Sequence, residues 1–506
     1  MYWLLCLVGF SVRAASFPGS VWAESLPGPS AHAYSFEQLT NSRYSVHSGF
    51  DDSLPAQVMA NVLWAMSRAP RVGSGYRDFY VATPDNVYRY DPSSFRLSVQ
   101  RAGDHRYNSG SAFEVGVATV RPEEAGMAIQ AGLLAGTAFR GEGQDVASCP
   151  MQWAADHAAV EWKPDHPVQM ANVFGRAPAD PFDTLCVAFS SDSTLPLPHV
   201  VGPDTFEAVM ADLHQDSSFS PVELSRENVS QLCWAAYGVT PHLTYNHRQG
   251  LTVPSAMASY YLTDRIYVVD GYEVSRYYDR QGEVPDAGPI ANRQSAIANR
   301  LATRDHRLER FAAGDRRSQL RAASERIPGS APSYFVVCVP DTASDPAMTE
   351  AGSAGFQLLA QARALGLAGF LVVPLSRVER TAIASAIELP PGHVPALVFA
   401  CGEAADAAAD HGPDSGVVTI VRAQPAIRHG SLRVEYRLSR AGQVRAEVYD
   451  MLGRPVRLLL TEQESSGYHA VVWDGSDEDG ARMKRGTYLV VIISGGTVAK
   501  LKVSLG

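Results

Sequence analysis

A chain of 506 residues exceeds the roughly 250–300 at which a single hydrophobic core stops growing, so two or three domains are expected. Its 46% hydrophobic and 19% charged residues, with no long low-complexity tract, exclude a disordered chain. The net charge of −10, from 43 basic and 53 acidic residues, and a pI near 5.8 argue against general attraction to nucleic acid or acidic lipid.

Residues 1–23 begin with a short apolar run, MYWLLCLVGF, followed by small residues around Val12-Arg13-Ala14, the pattern of an export signal, although no Lys or Arg precedes the run. No other stretch reaches the roughly 20 apolar residues that span a bilayer. Next come two segments that echo each other, ANVLWAMSRAP at 60–70 and SQLCWAAYGVT at 230–240. After Trp64 follow a strand-like DFYVAT and the Tyr-rich PDNVYRYDP; after Trp234 follow RIYVVD and GYEVSRYYD. Both read helix, loop, strand, polar turn, Tyr-rich strand, with a longer loop in the second copy. Each copy then shows a small-residue helix, EEAGMAIQAGLLAGTAF and AGSAGFQLLAQARALGLAGF, and closes on an apolar strand ending in Gly, PVQMANVFG and VPALVFACG.

A period this long means a duplicated domain rather than a solenoid. Duplicated domains commonly rebuild a twofold dimer interface inside one chain. The expected units are 35–178 and 203–410, with a Pro- and Ser-rich linker at 179–202. The Arg-rich stretch 298–326 mixes charge signs at helical spacing and reads as a solvated helix face. From 424 to 506 alternating residues and frequent turns predict a small β-sandwich. The six cysteines show no CxxC pattern or Cys/His ladder, so no structural zinc site is expected, and Cys338 and Cys401 sit in apolar runs as buried thiols.

The second copy resembles the nitroreductase-like FMN flavoproteins, nearest their thiazoline- and oxazoline-oxidising branch. The resemblance is carried over about 203–405 by LSRENVSQLCWAAYGVT, RQGLTVPSAMASYYLTDRIYVV and QARALGLAG. The first copy resembles the same family more faintly over 35–178, through NSRYSVHSGF, ANVLWAM, NVYRYDP and VFGRAP. The tail is similar to the Ig-like domain of flagellar hook-capping proteins and to C-terminal sorting domains, through VYDMLGRPVR, VVWDGSDEDG and RGTYLVVI. The resemblance implies an α+β fold: two tandem domains forming a pseudo-dimer, plus a C-terminal all-β Ig-like sandwich. It also implies FMN at the interface, export to the bacterial cell envelope or beyond, and secretion machinery as a partner of the tail.

FMN needs charge-assisted donors for its phosphate and an apolar slot for its ring. In the resembled family an RRSxR motif supplies the phosphate donors, and of it the first copy keeps Arg43 and Ser45. The second copy reads LHQDSSF there, without Arg and with Asp216. A Pro-Ser loop, which covers the ring from the opposite subunit, survives as Pro254-Ser255-Ala256 with Arg248 upstream. In the first copy PRVGSG takes its place. The surviving halves are therefore expected to meet in one pocket.

The resemblance forces no catalytic residue, and Tyr260 and Tyr261 read as core aromatics beside the Pro-Ser loop. The reading this favours is an exported FMN-dependent oxidoreductase of nitroreductase type that acts on a small molecule or a peptide-derived ring and draws on an unidentified electron donor. The alternative is a catalytically inactive pseudo-dimer serving as a cell-envelope binding or structural module. His242 and His247 lack a ligand partner at metal spacing, DGSDEDG lacks the twelfth-position Glu of a calcium loop, and Gly141-Glu142-Gly143 does not continue to a dinucleotide fingerprint. No hydrolase or kinase motif is present.

Overall fold

The computed structural model describes residues 25–505 apart from 44, 47–48, 51–53, 145, 177–194, 244–248, 256–258, 281–304, 406–417, 426–431, 439–440, 451–453, 466, 485 and 496. The export-signal pattern, most of the linker, Arg248, Ala256 and His247 thus lie outside the described residues.

The first half runs α1 (Phe36–Ser42), α2 (Ala56–Arg68), β1 (Arg77–Ala82), β2 (Asn86–Asp91), β3 (Arg96–Ala102), β4 (Phe113–Thr119), α3 (Pro122–Gly141), β5 (Val146–Met151), α4 (Gln152–Glu161) and β6 (Val168–Arg176). Its strands form an antiparallel sheet in the order β3-β2-β1-β4-β6-β5. The second half runs α5 (Phe206–Ala211), α6 (Arg226–Tyr237), β7 (Val239–Leu243), β8 (Gln249–Leu251), β9 (Ile266–Val269), β10 (Glu273–Arg280), β11 (Asp305–Ala313), α7 (Arg317–Ala322), β12 (Ser333–Val339), α8 (Asp345–Ala364), β13 (Ala368–Val372), α9 (Arg377–Ala386) and β14 (Val394–Gly402). Its sheet has the matching order β11-β10-β9-β12-β14-β13, also antiparallel. The extra loop length of the second half contains the β7–β8 hairpin.

The central strands β4 and β12 are buried along their whole length because helices cover both sheet faces. The inner faces share one core that runs from Leu26 to Cys401 and includes α3 and α8. Trp162 and the alanines of α4 cover the outer face of the first sheet, and Ile383 of α9 covers that of the second. Small residues decide how the halves meet. Gly126 of α3 lies against the backbone at Thr349, and Gly352 of α8 lies against the backbone at Glu123, so a Cβ at either would collide with the opposite helix. Ser353 Oγ donates to the Gly126 carbonyl across this crossing at 2.9 Å. Both helices are buried nearly all round, which is why neither carries the apolar stripe of a surface helix.

The Arg-rich stretch departs from expectation. Residues 305–313 form the edge strand β11 and, among the described residues of the stretch, only 317–322 are helical. His306 is buried while Glu309 and Arg310 are exposed, so pairing with β10 overrides the helical spacing of the charges. The described end of the linker, 195–202, is docked: Pro196 O accepts from Ser230 Oγ at 2.6 Å, and the Gly202 N–H donates to Ser35 Oγ at 2.8 Å.

The tail holds β15 (Val418–Pro425), β16 (Leu432–Leu438), β17 (Gly442–Asp450), β18 (Pro455–Glu464), β19 (Gly467–Trp473), β20 (Gly486–Ser494) and β21 (Thr497–Leu505). They form sheets β15-β16-β19 and β18-β17-β20-β21 around a separate core with Trp473 and Tyr436. Among the described residues no helix is long and apolar enough to cross a membrane.

Candidate functional site at the junction of the halves

A capping box starts α1: Ser35 Oγ accepts from the Gln38 N–H and Gln38 Oε1 accepts from the Ser35 N–H. The helix ends at Arg43, whose extended backbone aims the side chain into the second half. There Arg43 Nη2 donates to the Leu251 carbonyl at 2.6 Å and Nε to the Thr252 carbonyl at 3.3 Å, while Nη1 reaches Ser45 Oγ at 3.4 Å. Gln130 of α3 and Gln357 of α8 donate to the same Thr252 carbonyl at 3.0 and 3.1 Å. Arg43 and the strand leading to Pro254 are therefore in direct contact.

Burial pushes the Arg43 guanidinium down to about 10, with the Cys149 thiol opposing that shift and the nearby charge of Arg140 adding to it. Arg140, at the end of α3, donates to the Ser42 carbonyl. Two buried guanidinium groups thus sit close together. Among the described residues no carboxylate forms an ion pair with Arg43. Near them the buried oxygens Ser42 Oγ, Gln130 Oε1 and Thr252 Oγ1 have no hydrogen-bond partner among the described residues. Buried polar atoms without partners are uncommon and mark places where a water, ion or ligand belongs. Ser45 hydrogen-bonds Cys149, whose thiol burial pushes up to about 12, so this cysteine stays protonated and is no nucleophile.

The Pro-Ser loop is held from below by a residue that sequence reasoning did not single out. Glu350 of α8 accepts from Ser255 Oγ at 2.7 Å, from Tyr237 Oη at 2.5 Å and from the Leu262 N–H at 3.3 Å, and Ser255 Oγ accepts from the Tyr260 N–H at 2.6 Å. Burial pushes this carboxyl up to about 7, against the hydrogen bonds that lower it. Tyr260 and Tyr261 are half-buried and pack on the main core. The gap bounded by Pro254, Glu350, Ile129, Pro150 and Met170 measures about 10 Å³, room for at most one water, so a flavin ring does not fit inside it.

The first half has a counterpart to Glu350. Glu124 of α3 accepts from the Val72 N–H and Thr119 Oγ1, both at 3.3 Å, and pairs with Arg71 at 2.7 Å and Arg77 at 3.5 Å. It anchors PRVGSG as Glu350 anchors the Pro-Ser loop. A repeated signal was present in the sequence: Glu124-Ala125-Gly126 and Glu350-Ala351-Gly352 open the two small-residue helices.

The second half has no equivalent of Arg43. The Val46 N–H donates to Ser148 O, and likewise Asp216 N–H donates to Gly369 O, at 3.0 and 2.9 Å. Counting back three residues puts Leu213, rather than Asp216, in the place of Arg43. Asp212 beside it is paired with Arg363.

A Ser-His-Asp constellation is buried in the second half. Ser230 Oγ lies 2.7 Å from His306 Nε2, and His306 Nδ1 lies 3.5 Å from Asp279 Oδ2. Ser230 donates its proton to Pro196 O, and all three residues are buried, so the serine is no exposed nucleophile. His242 belongs to β7, and among the described residues no group of three or more His, Cys, Asp or Glu could hold a metal. DGSDEDG forms a turn in which Asp477 O and Oδ1 accept from the Gly480 and Asp479 N–H groups.

The nitroreductase family model matches residues 216–403, and the FlgD Ig-like domain model matches residues 427–495. No curated protein is similar to the chain. Among solved structures, a protein named as a nitroreductase from Anabaena variabilis is similar at 10% identity, over 71% of this chain and 93% of that one, with a TM-score of 0.46. An FMN-dependent nitroreductase from Clostridium difficile is similar at 15% identity, over 39% and 86%, with a TM-score of 0.25. FLGD from P. aeruginosa is similar at 23% identity, over 18% and 72%, with a TM-score of 0.15. On the family matches, the chain carries a nitroreductase-family domain over 216–403 and a FlgD Ig-like domain over 427–495.

Proposed function

We propose that the two halves are duplicated copies forming a pseudo-dimer with one FMN site, and that the chain is an exported oxidoreductase of nitroreductase type. Its substrate is a small molecule or a peptide-derived ring. The observation that carries this reading is the contact of Arg43, from the first half, with residues 251–252, which lead into the Pro-Ser loop of the second. Of the partnerless buried oxygens near that contact, the hydroxyls Ser42 Oγ and Thr252 Oγ1 are able to donate to a phosphate, whereas the amide oxygen of Gln130 only accepts. On this reading Arg43 and Ser45 would hold the phosphate, in competition with the Leu251 and Thr252 carbonyls, and Pro254, Ser255 and Ala256 would bracket a ring lying outside the 10 Å³ gap, with Arg248 upstream. When bound, FMN supplies hydride transfer, and the chain's residues supply position and electrostatics.

A second reading, an inactive pseudo-dimer serving as a cell-envelope module, is favoured by the three donors of Arg43 already engaged and by the 10 Å³ gap at Pro254. Colour separates the two. Purified protein with a flavin band near ~450 nm that bleaches with dithionite supports the cofactor role. Protein that stays colourless and fails to bind added FMN supports the module. Arg43→Ala and the milder Ser45→Ala are expected to weaken FMN binding, the first by about 1.5–3 kcal/mol for a lost charged hydrogen bond. Arg226→Ala, at the exposed start of α6, is expected to leave it unchanged; equal effects overturn the one-site reading.

A further inference from the structure

A cleft of about 600 Å³ opens in the second half between the first turns of α9, residues 341–343 and the start of β14. We propose that it binds a small monoanionic amphipathic molecule, a carboxylate on an apolar body, independently of any flavin. The volume lies within the range of small-molecule sites, roughly 300–1,000 Å³. Leu375, Ala384, Val394 and Pro395 give it an apolar floor.

Arg377, Arg380 and Thr381 line one side. Arg380 is oriented by the bond from its Nε to the Leu375 carbonyl at 3.1 Å. The nearest carboxylate on the same helix, Glu379, is turned to other partners: it caps Ser376 and pairs with Arg326 at 2.9 Å. Among the described residues, neither cleft arginine forms an ion pair with a carboxylate.

His393 on the opposite side reports the local field. Its Nδ1 meets Tyr267 Oη at 2.9 Å, and burial, followed by the charges of Arg265 and Arg276, pushes the imidazole down to about 4. At neutral pH it is uncharged, so the charges lining the cleft are Arg377 and Arg380 against the single carboxylate of Asp341, with Asp264 near His393 and Glu123 within electrostatic reach of Arg380. Asp341 lines the same cleft and disfavours a second negative charge, so the head group is a monoanion. Planar guanidinium groups match a carboxylate with paired N–H donors.

Titration calorimetry of the full chain with octanoate, and with octanol as the uncharged counterpart, tests this. Saturable octanoate binding is expected, with octanol at least about tenfold weaker, as for loss of a charged hydrogen bond. Arg377→Ala/Arg380→Ala is expected to weaken octanoate by about tenfold or more, while Arg307→Ala on β11 changes nothing. Should the double variant fold poorly, Arg377→Glu at its exposed position gives the same loss. No saturable binding, equal binding of octanol, or octanoate affinity unmoved by the cleft variants overturns the proposal.

Discussion

Glu124 and Glu350 occupy matching places near the start of two buried helices, and burial raises both carboxyls, but their partners differ. Glu124 is raised by burial, but Arg77 and Arg71 compensate its charge. Replacing one partner of a buried ion pair leaves the other uncompensated, so Glu124→Gln is expected to destabilise the protein by about 3 kcal/mol, read as a lower urea midpoint at pH 7. Glu350 is satisfied by hydroxyls and backbone N–H groups, and its folded pKa of about 7 lies above the ordinary 4.5. The folded state therefore keeps a proton that the unfolded chain releases, and stability falls as pH rises from 4.5 to 7. Glu350→Gln is expected to remove that slope and to gain up to about 3 kcal/mol over the parent at pH 8, with no gain at pH 4. An unchanged slope in urea titrations at the two pH values would contradict this assignment.

Packing of α3 on α8 sets what the junction can be. The helices approach closely enough that backbone meets glycine on both sides, at Gly126 and at Gly352. Gly126→Ala and Gly352→Ala are each expected to cost about 1–3 kcal/mol or more, because the colliding atoms are backbone and cannot rotate away. Thermal unfolding that leaves either variant at the parental Tm would show that the helices separate at no cost. The same crossing places Gln130 and Gln357, from opposite halves, on one carbonyl at Thr252. Element packing, rather than any local motif, thus brings α1 of the first half to the loop of the second.

At the scale of the molecule, one core joins the two halves, whereas the tail has its own. A fragment ending at residue 178 exposes its half of that core and is expected to aggregate or self-associate when produced alone. Removing the tail after residue 405 is expected to leave cooperative unfolding of the remainder intact. A monomeric, cooperatively folding first half in gel filtration and calorimetry would refute the shared core.

The echoed helices at 60–70 and 230–240, the Tyr-rich strands, the two small-residue helices and the tail strands were legible in the sequence, because each is written in local periodicity and composition. So were Arg43, Ser45, Pro254 and Ser255 as candidates, through resemblance and order along the chain. The Arg-rich stretch was not: an edge strand and a charged helix face use the same residues, and only pairing with β10 separates them. Glu350 was hidden because a glutamate near a helix start is ordinary until burial and the Ser255 contact give it a role. Sequence alone determined the repeated order of elements and the absence of arginine from LHQDSSF. Tertiary structure alone decided that Arg43 faces carbonyls of the other half and that, among the described residues, the cleft arginines form no close ion pair with a carboxylate, since side-chain partners distant in sequence are chosen by packing.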